Sequence, residues 1–231
     1  MRLVGEGFYE ALRLLLTGDP EVWRITVLSL QVSGSATLIS LLVGIPAGTA
    51  LALARFPGRA LAVSVVNTGM GLPPVVVGLF VTILLWRSGA LGFLELLYTP
   101  TAMVLAQFVI AAPIVTGLTL AAVQQVPDKF RLQMVALGAS RVQMVWTLIR
   151  EARLPMLAAV MAGFGGVVSE VGASMMVGGN IRGQTRVLTT ATVLETGKGN
   201  FDVAIALSLL LLVITFLVNW ALTWIQQRRR V

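Results

Sequence analysis

A chain of 231 residues that is 57% hydrophobic and 12% charged lies well below the roughly 25% charged share of soluble domains, which argues against a water-soluble fold. It contains no cysteine and no histidine. Disulfide scaffolds, thiolate metal sites and Ser/His/Asp or Cys/His catalysis are therefore excluded, and no metal site is expected. The formal net charge of +7 would suit a nucleic-acid binder, but the placement of the charges gives it another meaning.

Met1 to Glu10 carries acidic residues and no apolar run behind a basic one, so a cleaved signal peptide is not expected. Leu12, Leu14, Leu15 and Leu16, interrupted by Arg13 and followed by Thr17-Gly18-Asp19-Pro20, predict a short interfacial helix and a turn. Residues 1–24 form an N-terminal segment outside the membrane. Ile25 to Ala54 is free of charge and longer than the about 20 residues a bilayer core requires. Its Gln31, Ser33, Ser35 and Ser40 predict a tilted first span with one face on protein. Arg55-Phe56-Pro57-Gly58-Arg59 ends it.

The second span, 61–86, is interrupted by Gly69-Met70-Gly71-Leu72-Pro73-Pro74. Two prolines cannot both sit silently in a helix, so the break is expected to be buried in protein or to line a wet cavity. The third span is 101–123, with a kink expected at Pro113. The fourth is 156–177, rich in glycine and carrying Ser169-Glu170. The fifth is 203–225, followed by a basic tail over 227–231. The fold class is thus an all-α integral membrane protein with five transmembrane helices.

Between the third and fourth spans lies a polar, basic insert, 128–155. Pro127 and Asp128 predict a helix start capped by the aspartate. Phe130, Met134 and Leu137 share one helical face; Gly138 predicts a left-handed stop, and Ser140 a second cap. Val142, Val145, Trp146 and Ile149 repeat the helical spacing. Two short amphipathic helices joined by Gly138-Ala139-Ser140 make a docking element. Phe130, Met134, Val142 and Trp146 offer it apolar surface, flanked by Arg131 and Arg141.

Five spans put the termini on opposite sides. The side of the insert gathers Arg55, Arg59, Lys129, Arg131, Arg141, Arg150, Arg153 and Arg228 to Arg230 against Asp128 and Glu151. On the far side, acidic residues balance the basic ones. By the positive-inside rule the insert and C-terminus are cytoplasmic and the N-terminus is outside. The basic excess needs no nucleic acid.

Glu170 is the one ionisable residue deep in a span, which marks a functional candidate. A hydrogen-bonded structural role is favoured, because a carboxylate repels an anionic cargo. Gly163, Gly165, Gly166, Gly172, Ala173 and Ser174 favour close helix packing over a conduction path. Gly178 to Arg186, with Asn180, Arg182 and Arg186, could receive an oxyanion, contact an external partner, or be an ordinary solvated loop. Ser169 and Glu170 lack the base and oxyanion donors of an acyl-transfer site, and no Gly-Lys-Ser or Gly-Lys-Thr offers a phosphate cradle. Any driving energy must come from a partner or an ion gradient.

Ala136-Leu137-Gly138-Ala139-Ser140, followed by Leu154-Pro155, resembles the "EAA" loop of type I ABC importer permeases, with Leu132, Gln133 and Met134 standing in place of Glu-Ala-Ala. Leu72-Pro73-Pro74-Val75-Val76-Val77-Gly78-Leu79, Ser169-Glu170-Val171-Gly172-Ala173 and Gly179-Asn180-Ile181 resemble the molybdate, tungstate and sulfate permease group. Tyr98 to Met103, Thr185 to Thr190 and Leu194 to Asp202 look most like its tungstate branch. The resemblance covers residues from about 20 to 225 and makes 25–226 a transporter transmembrane domain. It implies a permease, not an enzyme, without a cofactor of its own. The implied assembly is a homodimer with two cytoplasmic ATPase subunits that bind the ATP, and an external binding protein. It implies that Phe130, Arg131, Met134, Ala136, Gly138, Ala139, Ser140, Arg141 and Trp146 contact the ATPase. Pro73, Pro74, Ser169 and Glu170 would then lie on the translocation path, and Asn180, Arg182 and Arg186 would meet the binding protein. Tungstate is the expected cargo, with molybdate or sulfate as alternatives. A secondary transporter working alone fits less well, because no internal repeat is visible.

Overall fold

The computed structural model describes Arg13 and residues 19–228; the interfacial helix expected over 1–18 lies outside the described residues. Among them ten α-helices follow in order: α1 Pro20–Leu53, α2 Arg59–Met70, α3 Pro74–Leu85, α4 Pro100–Gln124, α5 Asp128–Ala136, α6 Arg141–Glu151, α7 Arg153–Val168, α8 Gly172–Gly178, α9 Leu188–Gly197 and α10 Phe201–Arg228. A short 3-10 turn, Gly92–Leu94, sits between α3 and α4.

Three of these helices, α1, α4 and α10, are long and apolar enough to cross a membrane unbroken. The first begins earlier than the hydropathy implies. Asp19 caps it by accepting from the N–H groups of Glu21 and Val22 at 2.8 and 3.1 Å, and Pro20 occupies the first helical position, where it sacrifices no hydrogen bond. The helix that carries the first expected span therefore starts at Pro20, ahead of the charge-free run that begins at Ile25. α1 continues through Pro46, and α4 through Pro113, where a kink was expected. α10 extends to Arg228, so the expected tail starts inside a helix.

The hub is α4, against which α1, α2, α3, α7 and α8 all pack. Its closest partner is α1. A Cβ placed on Gly48 would come within 2.4 Å of the Thr116 carbonyl, and one on Gly44 within 2.7 Å of Val115. Small residues thus let the two backbones meet, which is how helices associate where lipid removes the hydrophobic drive. On neighbouring sectors of α4, Pro113 and Gly117 receive Gly69 and Met70 of α2, while Ile114 and Val115 face Gly166 and Gly163 of α7.

The second and fourth spans are broken, one as expected and one not. Gly71-Leu72-Pro73 separates α2 from α3, and the two axes differ by 102°. Pro73 and Pro74 lack the N–H groups that would continue α2, so the chain turns and restarts. Burial of that break was one of two expectations; within this chain Gly71, Leu72 and Pro73 are exposed. The continuous span expected over 156–177 is instead α7, the link Ser169-Glu170-Val171, and α8.

Candidate functional site

The insert folds as a helical hairpin at the end of α4. Gly138 has φ +75°, a left-handed state that a side chain strains, and no atom crowds it. Ser140 then starts α6 with a reciprocal cap: its Oγ accepts from the Gln143 N–H at 3.3 Å, and Gln143 Oε1 accepts from the Ser140 N–H at 2.8 Å. The expected cap at Asp128 does not form. Pro127 holds the cap position without a side-chain bond, and Asp128 lies 3.9 Å from Arg131 in an ion pair instead.

α6 carries apolar residues on two faces. Met144, Leu148 and Ile149 turn inward with Phe130 onto Val123, Val126, Ala152 and Met156, while Val142 and Trp146 stand 79% and 67% exposed. This corrects the expected docking surface. Phe130 and Met134 are half-buried against their own chain, whereas Leu132, Val135, Leu137, Val142, Val145 and Trp146 make the open apolar face. Arg131 also turns inward, donating from Nη2 to the Val123 carbonyl at 3.3 Å, so it anchors the hairpin to α4 instead of flanking an open surface. Arg141, Ala136 and Ser140 remain exposed, and Ala139 is half-buried.

At the other break, Glu170 is 9% exposed. Its Oε1 accepts from the Ala173 N–H at 2.9 Å, satisfying a donor in the first turn of α8. Its own carbonyl accepts from Thr189 Oγ1 at 3.0 Å, which ties the link to α9. Ser169 is exposed but returns its hydroxyl to the Gly165 carbonyl at 2.8 Å. α8 lies against α3 so closely that a Cβ on Gly78 would come within 2.7 Å of Ala173 Cα, and one on Gly172 within 2.6 Å of Val75. Pro73, Pro74, Ser169 and Glu170 therefore belong to two breaks joined by one tight contact. A buried hydrogen bond from Gln107 to Ser174 at 3.2 Å fastens α8 to α4.

Opposite the hairpin, at the other end of α4, lies the Gly178–Arg186 loop. It is no ordinary solvated loop. The fully buried Thr185 donates to the Gly178 carbonyl and accepts from the Ile181 N–H. Asn180, at φ 52°, donates to the Thr190 carbonyl at 3.4 Å. Arg182 and Arg186 both pair with Glu21 of α1, Arg186 at 3.4 Å. The Glu21 carboxylate, by hydrogen bond first and by charge second, raises the Arg182 pKa above its ordinary value. The two arginines thus hold the loop to α1, and sequence reasoning missed their partner because 161 residues separate the pair in the chain. Beside the loop, Tyr98 donates its N–H to the Val177 carbonyl at 2.8 Å. Trp86, Arg87, Phe93, Glu95 and Tyr98 line a cavity of about 1040 Å³.

The described residues thus form a helical membrane domain with an exposed hairpin at one end and two helix breaks within it. Residues 41–231 match the family described as binding-protein-dependent transport system inner membrane component, and the chain belongs to that family. It is a multi-pass membrane transport subunit and not an enzyme. Among its relatives, the tungstate uptake system permease protein TupB of Peptoclostridium acidaminophilum is 40% identical over 98% of this chain and 100% of its own. The protein of the same name from Campylobacter jejuni is 37% identical over 93% of this chain and 90% of its own. The fold matches that of a solved structure, an inward-facing MetNI methionine ABC transporter, with TM-score 0.74 and 19% identity over 94% of this chain and 97% of that one. This is the type I ABC importer permease fold.

Proposed function

We propose that this chain is the permease of an ATP-driven importer for oxyanions of the tungstate class. Two copies would enclose the path, two cytoplasmic ATPase subunits would each take one α5–α6 hairpin, and an external binding protein would deliver the anion. The observation that carries the cargo is the near full-length similarity to permeases named for tungstate uptake. The docking role rests on the open apolar face of Leu132, Val135, Leu137, Val142, Val145 and Trp146, continuous with Arg141, where a partner gains both buried area and orientation. The chain binds no nucleotide itself. The insert faces the cytoplasm and the N-terminus lies outside, by the basic excess around the hairpin.

Pro73, Pro74 and Ser169 border the path. Glu170 holds the path wall by capping α8. The loop carrying Asn180, Arg182 and Arg186 faces the binding protein as a preformed surface, its arginines partly neutralised by Glu21. The test is uptake into vesicles holding the permease with its ATPase and binding protein. Tungstate should accumulate only with ATP and resist competition by molybdate and sulfate. Accumulation on an ion gradient without ATP would defeat the importer reading, and stronger competition by sulfate would defeat the choice of cargo.

A further inference from the structure

We infer that Ser64, Asn67 and Thr68 on α2 form an uncharged hydrogen-bonding strip that contacts the oxyanion and its water during passage; this rests on the importer reading above. Ala60, Ser64, Asn67, Thr68 and Gly71 recur at i, i+4, i+7, i+8 and i+11, which is one helical face. All five are exposed. The strip ends at the exposed break Gly71-Leu72-Pro73, where the chain bends by 102°. No charged residue occurs from Ala60 to Trp86, so the segment belongs to the apolar depth of the protein.

Polar side chains at that depth normally satisfy themselves. On α10, Ser208, Thr215 and Thr223 each donate to the carbonyl four residues earlier, at 2.8, 2.8 and 2.7 Å. The exposed large side chains of that helix include Leu212, Val213, Phe216, Leu217 and Trp220, a face suited to lipid. Ser64, Asn67 and Thr68 have no side-chain hydrogen bond among the described residues. Three open donors in line, Asn67 above all, disfavour lipid contact, because hydrocarbon offers them nothing. Water and an oxyanion do.

The chemistry also suits passage better than retention. A fixed arginine would bind a dianion tightly, whereas hydroxyl and amide donors hold it weakly enough to release, as conduction demands. The strip sits on the helix whose Gly69 and Met70 meet Pro113 and Gly117 of α4, next to the sector of α4 that receives α7. Past its first turn, the exposed residues of α7 are likewise small, Ala158, Ala162 and Gly166, with Ser169 just beyond its end. These helices place smooth or polar faces on adjacent sectors of one hub.

The chain has no cysteine, so single-cysteine variants of the full complex report on one position each. Asn67→Cys and Thr68→Cys should react with a water-soluble maleimide at least about ten-fold faster than Val65→Cys, since the thiolate that reacts forms only in water. Val65 is exposed on the neighbouring apolar sector with Leu61 and Leu72. Millimolar tungstate should slow the reaction at 67 and 68, and Ser64→Ala/Asn67→Leu/Thr68→Val should lower tungstate flux while ATPase stimulation persists. Labelling no faster than at Val65 would overturn the inference by placing the strip against lipid. Labelling untouched by tungstate, with normal flux in the triple variant, would overturn it as well. Failure of the unmodified complex to accumulate any oxyanion would instead overturn the importer reading, which the labelling rates do not depend on.

Discussion

The two faces of α6 make opposite predictions for residues two apart. Leu148 is fully buried and Trp146 is 67% exposed. A tryptophan side chain presents roughly 150–250 Å², so about 150 Å² of it is open to a partner. At about 25 cal/mol per Å², covering that area contributes about 4 kcal/mol. Ordering the side chain and imperfect fit leave about 2 kcal/mol of this in the measured affinity, about thirty-fold in Kd. Trp146→Ala should therefore weaken ATPase binding by that factor while leaving the melting temperature of the isolated permease unchanged. Leu148→Ala removes packing against Val123, Ala152 and Met156 and should cost about 2–5 kcal/mol of stability. Affinity would be measured by titrating the ATPase onto permease in nanodiscs, stability by thermal unfolding of the same preparation. If Trp146→Ala leaves affinity intact, the exposed face of α6 lies on lipid headgroups and the docking assignment fails.

Glu170→Gln keeps an oxygen for the Ala173 N–H and should lower stability slightly, whereas Glu170→Leu loses the bond and should lower it by about 1–2 kcal/mol; equal loss of transport in both, with melting unchanged, would show that the charge itself acts. Glu195 accepts hydrogen bonds from Asn200 and Lys198, both at 2.8 Å, and these hold its pKa below the ordinary 4.5. A lowered folded pKa gives stability that is present above the unfolded value and lost as pH falls through the folded one. The melting advantage of the native chain over Glu195→Gln should therefore shrink below about pH 4.5, and an advantage constant down to pH 3 would refute the linkage.

What the sequence made legible is what depends on neighbours along the chain. Charge-free runs announced α1, α4 and α10, since a bilayer selects on length and hydropathy alone. Pro73 and Pro74 announced the first break, and Gly138 and Ser140 the hairpin turn, because each acts within one helical turn. The second break was silent. Gly163, Gly165 and Gly166 carry no periodicity, and the interruption at Ser169-Glu170-Val171 is held by Thr189, 19 residues on. The facing of Phe130 was misread for a similar reason. Its helix is amphipathic either way, and only α4 and α7 decide which side is inside. Arg182 and Arg186 read as free charges until the fold brought Glu21 beside them.

On the proposed function, the same contacts give a push on the hairpin a route to the path. α6 and α7 meet at Ala152 with a bend of 67°, and that corner is buried with Leu148 and Met156 against the end of α4. The corner is packed, which favours joint movement of α6 and the start of α7 over folding about Ala152. α7 then runs as one helix to Ser169, where its backbone ladder stops. Beyond it α8 is fixed at its far end by Tyr98 and Thr185 and at its side by Gln107 and Gly78. A lever held at one end and stopped at the other yields at its weakest joint, the link from Ser169 to Val171. Glu170 sits in that link with one hydrogen bond to α8 and one to α9, contacts of the structural kind that the sequence favoured for it, and on the proposed function it would be the pin of the joint through which docking strain meets the wall of the path.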